Sequence, residues 1–340
     1  MHPSLLDILV CPDCAGEARL DLVIEEQNGP DIHSGRLTCF TCCQSFPIVR
    51  GVPRMVADED NYSENFAYEW NLWGRVQIDR FAGHSLSAQR FLADSRWPEA
   101  WLNDKLVLDA GCGAGRFADV AAGLGARVVA IDLSGAVDAA RANTIDRGSR
   151  VEVVQASLFR LPFRRGVFDG IYCMGVIQHT PDPEAVMSAL PAFSRPGGRL
   201  AYNFYEIDWR TRLQPIKYAL RVFTPGLGTV VNHYLALALT LILFPLSWLL
   251  SHVRFIRFIN SMLPICATHS RELTFRQQFV WTLLDTFDWY SPRYEIRQSH
   301  AQVAAILRGA GLVNVTSAPG LAWGQKPPAA PIRNANEDGR

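Results

Sequence analysis

The sequence lacks a net charge, a secretion signal and an internal repeat. Its 340 residues include 33 Lys or Arg and 33 Asp or Glu, so the chain as a whole has no electrostatic attraction to nucleic acid. The first residues lack the basic start, apolar run and small-residue cleavage site of a signal peptide. Since 49% of the residues are apolar and 19% are charged, the composition excludes a disordered chain. We therefore predict a globular, cytoplasmic protein.

Cysteine is scarce, and four of the eight cysteines form two close pairs. Cys11 and Cys14 make one CxxC pair, and Cys39 and Cys42 make the other, with 24 residues between the pairs. In the cytoplasm cysteines are more often metal ligands or buried thiols than disulfides. Four thiolates at this spacing can surround one ion tetrahedrally, and such a closed site is structural rather than catalytic. Because sulfur ligands favour zinc over iron here, the sequence predicts a structural Zn²⁺ site.

Apolar, strand-like runs alternate with helix-period segments between residues 105 and 205. This alternation is typical of a parallel sheet built from βαβ units. The predicted fold class is therefore α/β, with a doubly wound, Rossmann-like sheet. The chain is predicted to divide into a ribbon-like module at 1–56, a connector with cap helices at 57–104, the α/β domain at 105–205 and 300–326, a helical, apolar insertion at 206–299, and a disordered tail at 327–340.

A glycine-rich loop is the sharpest motif. A strand-like run ends at Ala110 and is followed by Gly111-Cys112-Gly113-Ala114-Gly115, after which a helix-period segment begins. Glycines at alternate positions permit a tight turn and let backbone amides face a ligand. Asp109, just before the loop, would repel a pyrophosphate but suits a cationic ligand. The next strand ends about twenty residues on in Asp132, where a carboxylate can accept hydrogen bonds from a ribose.

This loop and three later segments resemble the class I S-adenosylmethionine-dependent methyltransferases, in particular enzymes of the ubiquinone-biosynthesis type. The later segments are 155–163, 168–183 and 196–200. The resemblance implies a seven-stranded sheet whose last strand is antiparallel, and S-adenosyl-L-methionine as the cofactor. It also implies that Gly111 and Gly113 lie against the methionine part of the cofactor, and that Asp109 helps to hold its ammonium group.

The resemblance also implies the contacts of the nucleoside part. Asp132 would bind the ribose hydroxyls, while Leu133 and Leu158 would contact the adenine. Ser157 stands where relatives commonly carry an acid that bonds the adenine amino group. A serine hydroxyl can accept a hydrogen bond there, but it offers no charge.

His179 is the candidate catalytic residue. It follows the fourth strand of the α/β domain, at the carboxyl edge where ligands bind in open sheets. Methyl transfer requires a base only if the acceptor must lose a proton, and the intrinsic pKa of histidine suits that role. Relatives share a similar His-x-Pro-Asp segment whatever their substrates, so the alternative is that His179 packs its loop and the start of the next helix.

The amino-terminal segment, from His2 to Pro53, resembles the small zinc-ribbon proteins that activate tRNA and protein methyltransferases. The resemblance implies that such a module is fused here to its enzyme. Its role would be to cover part of the catalytic domain or help to present a substrate. The alternative is a module that only stabilises the fold and has no role in recognition.

Residues 234–250 contain no charge. A helix that is apolar all round is buried in protein or in lipid, and 17 residues are at the lower limit for crossing a bilayer. A single crossing would separate strands that share one sheet. The alternatives are therefore a helical lid over the acceptor site or a peripheral or re-entrant contact with the cytoplasmic membrane face. Pro245 is expected to kink or end the helix. Contact with anionic lipid would suit the basic residues on both sides: Arg210, Arg212, Lys217, Arg221, Arg254 and Arg257.

Three functions are compatible with these features. The leading hypothesis is methylation of a small or lipid-like acceptor at carbon or oxygen. An RNA methyltransferase is the second, since some rRNA enzymes also begin with a cysteine zinc module, although the neutral charge and the apolar insertion argue against a nucleic-acid partner. A non-catalytic scaffold that binds the cofactor is the third, and it is left open by Ser157.

Overall fold

The computed structural model describes residues 1–14, 17–56, 63–208, 214–253 and 257–329. The predicted tail lies outside the described residues from position 330 onwards. The same is true of Arg210, Arg212 and Arg254, and of the side chain of Arg257.

The described part of the chain contains eleven strands. They are β1 (Leu20–Asn28), β2 (Asp31–Cys39), β3 (Ser45–Val49), β4 (Val52–Met55), β5 (Leu106–Ala110), β6 (Arg127–Asp132), β7 (Val151–Ala156), β8 (Phe168–Met174), β9 (Ser194–Asn203), β10 (Val313–Ala318) and β11 (Leu321–Gln325). All of them belong to one sheet with the order β1-β2-β3-β4-β7-β6-β5-β8-β9-β11-β10.

Seven of these strands form the predicted α/β sheet. Strands β7, β6, β5, β8 and β9 pair in parallel. Strand β11 lies between β9 and β10 and is antiparallel to both. The predicted sheet of seven strands with an antiparallel last strand is therefore confirmed.

Helices lie on both faces of the sheet. They are α1 (Glu64–Trp73), α2 (Asp79–Ala82), α3 (Leu86–Ser95), α4 (Glu99–Leu102), α5 (Arg116–Gly123), α6 (Val137–Thr144), α7 (Pro183–Ala189), α8 (Pro215–Phe223), α9 (Thr229–Ser251), α10 (Phe275–Tyr290) and α11 (His300–Gly309). Val107 packs in a core with residues of α3, α5 and α6. Its neighbour Leu108 packs in the opposite core with residues of α7 and α11. Successive side chains of a strand point to opposite faces, so the doubly wound arrangement is confirmed.

The amino-terminal ribbon continues the sheet of the α/β domain. Strand β4 pairs in parallel with β7, where Arg54 lies opposite Gln155 and Met55 opposite Ala156. Buried ribbon side chains such as Leu9 belong to the same core as Leu108. Segment 46–53, which looks like a turn-rich end in the sequence, is in fact mostly the β3–β4 hairpin. Its alternate residues are buried, as expected for strands with one face against a core.

The described part of the insertion contains three α-helices, α8, α9 and α10, before the chain returns to the sheet. Pro245 was expected to kink or end the helix; it does not end it, because α9 runs through it from Thr229 to Ser251. Proline removes one backbone hydrogen bond. Its ring lies on the exposed side of α9, while α10 packs against that helix and supports it past this position.

Candidate cofactor and acceptor site

The glycine loop follows β5 and is held by the neighbouring strand. The backbone amides of Gly111 and Cys112 both donate to the carbonyl oxygen of Ile131, at 2.9 and 2.7 Å. Gly111 has a φ of 94°, and a Cβ there would lie 2.4 Å from a methyl carbon of Val176. Only glycine adopts this backbone without strain and leaves room for the neighbouring side chain. A cavity therefore opens directly above the loop.

Asp132 ends β6 beside the loop and is already partly engaged. Its Oδ2 accepts from the Gly113 amide at 2.9 Å, and its Oδ1 accepts from the amide and hydroxyl of Ser134 at 2.9 and 2.7 Å. Burial raises the pKa of this carboxyl, although the three hydrogen bonds act in the opposite direction. A carboxylate has about four acceptor positions, so Asp132 can accept one further hydrogen bond from a ligand.

Most of the predicted site residues line one cavity of about 400 Å³. Its lining includes Gly111, Gly113, Asp132, Leu133, Leu158 and His179. Asp109 and Ser157 lie outside this lining, both at 1% exposure. Burial raises the pKa of Asp109 to about 8, and the Ser157 hydroxyl oxygen accepts from the Phe159 amide at 3.3 Å. These two residues are therefore buried beside the cavity without contributing to its lining.

His179 faces the cavity from a short 3-10 turn after β8. Its Nδ1 lies 3.0 Å from the carbonyl oxygen of Tyr294. Because a carbonyl only accepts, Nδ1 carries the hydrogen and Nε2 carries the lone pair. Nε2 has no partner among the described residues, and the rings of Phe66 and Tyr205 lie 5.4 Å from the imidazole. Burial lowers the pKa of His179 to about 4, so the ring is neutral at physiological pH.

The start of the next helix, α7, does not need His179 as a cap. Asp182 caps α7 itself, with its Oδ1 accepting from the Ala185 amide at 2.9 Å, and Pro183 occupies the first turn. This is the usual capping arrangement. The imidazole thus has one nitrogen fixed by Tyr294 and the other without a partner among the described residues.

Sequence reasoning missed an acidic part of the cavity. Glu69 on α1 and Asp285 and Asp288 on α10 contribute to its lining. Burial raises the pKa of Asp285 to about 7 and that of Asp288 to about 6, and it raises the pKa of Glu69 well above its usual value. These residues come from the connector and the insertion, far apart in the chain and in no motif. No local pattern in the sequence indicates that they meet.

The ribbon supports the loop that carries Leu133. The Arg54 guanidinium of β4 donates to Gln155 Oε1 at 3.2 Å. The same Gln155 side chain donates through Nε2 to the Leu133 carbonyl oxygen at 2.9 Å. One side of the cavity is therefore connected to the ribbon through a single glutamine.

The ribbon also holds the segment that carries Leu158. The Val10 amide donates to the Pro162 carbonyl, and the Arg164 amide to the Ile8 carbonyl, both at 2.9 Å. Arg160 forms an ion pair of 2.7 Å with Asp13, which lies between the first two cysteines of the ribbon.

The four predicted metal ligands meet in space. The sulfur atoms of Cys11, Cys14, Cys39 and Cys42 lie within 4.8 Å of one another, with separations of 3.7 Å for Cys11–Cys42 and 3.6 Å for Cys14–Cys39. A tetrahedron with Zn–S bonds of about 2.3 Å has edges of about 3.8 Å. The cluster thus fits a structural Zn²⁺ ion.

Two family models match the chain. Residues 108–202, which contain the glycine loop, Asp132 and His179, match the family described as "Methyltransferase domain". Residues 2–51 match the family described as "Trm112p-like protein". The chain carries a class I methyltransferase domain behind a Trm112p-like ribbon. Both resemblances are thereby confirmed, and S-adenosylmethionine is the cofactor of this class.

Named relatives match this chain over part of their length. The ubiquinone biosynthesis O-methyltransferase of Thiobacillus denitrificans is 41% identical over 139 residues, which cover 38% of this chain and 60% of that protein. The protein of the same name from Xanthomonas axonopodis pv. citri is 40% identical over 96 residues, or 28% of this chain and 40% of that one. The chain thus spans about half the length of these relatives.

A solved structure, the magnesium protoporphyrin IX methyltransferase of Synechocystis PCC 6803 with bound SAH, is 16% identical to this chain. Its TM-score is 0.44 over 78% of this chain and 97% of that one.

Proposed function

We propose that this protein is an O-methyltransferase that methylates a phenolic hydroxyl on an apolar or lipid-linked acceptor. The observation that carries the proposal is the neutral His179 imidazole, which lines the same cavity as the glycine loop and whose buried Nε2 has no partner among the described residues. The names of the relatives, ubiquinone biosynthesis O-methyltransferases, support oxygen rather than carbon as the methylated atom.

The reaction that this geometry supports is an in-line displacement. S-adenosylmethionine supplies the activated methyl group when it is bound. The sulfonium would be the leaving group: it would keep the electron pair of its bond to the methyl carbon when the acceptor oxygen takes the methyl group. His179 Nε2 takes the hydroxyl proton, and the Tyr294 carbonyl stabilises the resulting imidazolium through Nδ1–H. The protein thus contributes position and one proton acceptor.

The low basicity of His179 limits the type of hydroxyl. With a pKa of about 4, the imidazole cannot readily deprotonate an aliphatic alcohol, whereas a phenol such as tyrosine ionises near pH 10. Partial negative charge on a phenol oxygen is also stabilised by the ring. The acceptor is therefore expected to be a phenol rather than an alcohol.

The expected result is methyl transfer from tritiated S-adenosylmethionine to 4-nonylphenol, slower transfer to phenol, and none to 1-nonanol. The longer tail should raise kcat/KM because each buried methylene contributes about 0.8 kcal/mol. Asp132→Ala serves as a control, since loss of the ribose contact should weaken cofactor binding about 10- to 100-fold. Equal transfer to 1-nonanol, or transfer to none of these compounds, would contradict the proposed acceptor class.

A lipid-linked acceptor is supported by helix α9, which has inverted polarity: polar residues lie on its buried side and apolar residues on its exposed side. The described residues contain one helix long and apolar enough to cross a membrane, and this helix is only 22% buried in its most apolar window. Its buried stripe includes Asn232, Thr240 and Ser247, held by contacts such as Ser247 Oγ to His269 Nε2 at 2.9 Å. Its exposed stripe is apolar: Val230, Val231, Tyr234, Leu241, Ile242, Leu246 and Leu249. A surface helix in water has the opposite pattern.

Helix α8 has the same inverted polarity. Its Lys217 is 6% exposed, whereas Ile216, Val222 and Phe223 are 54, 76 and 71% exposed. Arg221 also turns inward, pairing with Glu295 at 2.6 Å. Helices α8 and α9 thus both present exposed apolar side chains, and exposed apolar surface marks an interaction site when it forms a patch.

The charge of the insertion favours an anionic membrane as the partner of this surface. Residues 209–271 contain no Asp or Glu and seven Lys or Arg, of which Lys217 and Arg221 face inward and the other five are the candidates for lipid contact. Basic residues beside an apolar helix are attracted to anionic lipid head groups. Because the polar stripe of α9 packs against the protein, the proposal is an interfacial contact at the cytoplasmic membrane face rather than a crossing. An acceptor dissolved in the membrane would then reach the cavity directly.

Binding to vesicles tests this surface. The wild-type protein should float with vesicles that contain phosphatidylglycerol and bind much less to pure phosphatidylcholine. The triple change Leu241→Gln, Ile242→Gln and Leu249→Gln should abolish flotation, since each buried leucine contributes about 1.5–3 kcal/mol. Val23→Gln with Ile24→Gln, exposed on the ribbon, is the matched control and should bind normally. Flotation of the triple variant at the wild-type level would exclude this surface.

A further inference from the structure

Glu69 is a buried carboxylate without a hydrogen-bond partner. Its side chain is 0% exposed, and neither oxygen has a partner among the described residues. It nevertheless lines the cavity above the glycine loop. An unsatisfied buried polar group costs about 1–3 kcal/mol, and more when charged. A ligand that supplies hydrogen-bond donors would remove this cost.

The surroundings of Glu69 indicate that such a ligand is cationic. Asp285 and Asp288 lie near it and, with burial, raise its pKa. The two arginines of the cavity lining are engaged elsewhere. Arg116 donates to Ser87 and Gln77, at 2.8 and 2.9 Å, and Arg90 pairs with Asp94 at 3.2 Å. A bound cation would offset the three carboxylates.

Helix α1 carries Glu69 over the part of the cavity that the resemblance assigns to the methionine end of the cofactor. The indole nitrogen of Trp70 lies 3.0 Å from where a Cβ on Gly113 would be. On the same helix, Phe66 packs against His179. Glu69 thus lies on the helix that connects the glycine loop with the proton acceptor.

We propose that Glu69 binds the α-ammonium group of S-adenosylmethionine, an inference that rests on the proposed function. The ammonium carries three donors and a positive charge, which match an unpaired carboxylate among acidic neighbours. The family resemblance gives this role to Asp109, but Asp109 is buried outside the cavity lining. Charge-assisted hydrogen bonds of this type are the stronger ones in proteins.

Isothermal titration of Glu69→Gln with three ligands tests the assignment. S-adenosylmethionine and S-adenosylhomocysteine both carry the ammonium, whereas 5′-methylthioadenosine lacks the whole amino-acid end. Glu69→Gln should weaken the first two about 10- to 100-fold and change the third by less than about twofold. Glu64→Gln, an exposed change on the same helix, is the matched control and should behave as wild type. Circular dichroism checks that both variants are folded.

The outcomes separate this inference from the proposed function. If wild type binds none of the three ligands, the proposed function fails. If wild type binds all three and Glu69→Gln binds them equally well, only the Glu69 assignment fails. Loss of S-adenosylmethionine affinity without loss of S-adenosylhomocysteine affinity would place Glu69 at the sulfonium and overturn the assignment to the ammonium. Weakened binding in Asp109→Asn but not in Glu69→Gln would return the role to Asp109.

Discussion

Replacing His179 by asparagine is expected to lower kcat for 4-nonylphenol about 10²- to 10⁴-fold, the usual contribution of a general base. Asparagine retains an N–H near the position of Nδ1 that can donate to the Tyr294 carbonyl, but it lacks the lone pair of Nε2. The fold of the loop and the affinity for S-adenosylmethionine should therefore remain close to wild type. Steady-state kinetics with a parallel cofactor titration separates the two effects.

The pH profile gives an independent readout of His179. Burial lowers its pKa to about 4, so the neutral, active form is present above that pH and is lost as the pH falls towards 4. The wild-type rate should thus be flat from about pH 6 to 8 as far as this group is concerned. In His179→Asn the rate should rise as the phenol itself ionises towards pH 10. A variant with the wild-type rate and profile at pH 7 would show that His179 is structural only.

Removal of the zinc ligand Cys42 is expected to have the largest effect on stability. Structural zinc contributes directly to folding free energy, so Cys42→Ser should lower the free energy of unfolding by about 5 kcal/mol. The zinc content should fall from one ion per chain towards zero. Urea unfolding and elemental analysis measure the two quantities. Cys43→Ser is the matched control, because Cys43 is the exposed neighbour outside the cluster.

Loss of the metal should also weaken cofactor binding, beyond the change in stability. The first cysteine knuckle holds the 157–164 segment through the Val10 and Arg164 amides and through Asp13. That segment carries Leu158, one wall of the cavity. A shift of this wall should raise the Kd of S-adenosylmethionine about tenfold, measured at a temperature where the variant is still folded. A folded Cys42→Ser protein with unchanged cofactor affinity and full stability would contradict both roles of the ribbon.

Much of the fold was predictable because its signals are local. Strands β5, β6 and β7 read as apolar runs, and a parallel strand that is buried on both faces needs such a run. The pairing of strand β4 with strand β7 was not predictable. It pairs Arg54 and Met55 with Gln155 and Ala156, residues about a hundred positions away, and hydrogen bonds between backbones leave little trace in residue type. For the same reason the sequence predicted a ribbon-like module at 1–56 but did not predict that its strands extend the sheet of the α/β domain.

The residues of the candidate site also differ in whether the sequence alone could place them. Gly111, Gly113 and Asp132 follow strands directly, so a strand-then-loop pattern is enough to bring them to one edge of the sheet. Asp109 has the same sequence signal, but its side chain is buried and lies outside the cavity lining. The role of Asp109 and Ser157 as direct contacts remains a prediction that this geometry does not favour.

The sequence by itself determined the class of the fold, the cysteine cluster, the glycine loop and the position of His179 after β8, because each depends on residues close together in the chain. Only the tertiary structure decided the tautomer of His179, the acidic part of the cavity at Glu69 and the outward direction of the apolar stripe of α9. An uncharged helix has the same composition whichever side it presents. The direction of its faces is decided by packing of its polar stripe against distant residues, and no stretch of sequence contains that information alone.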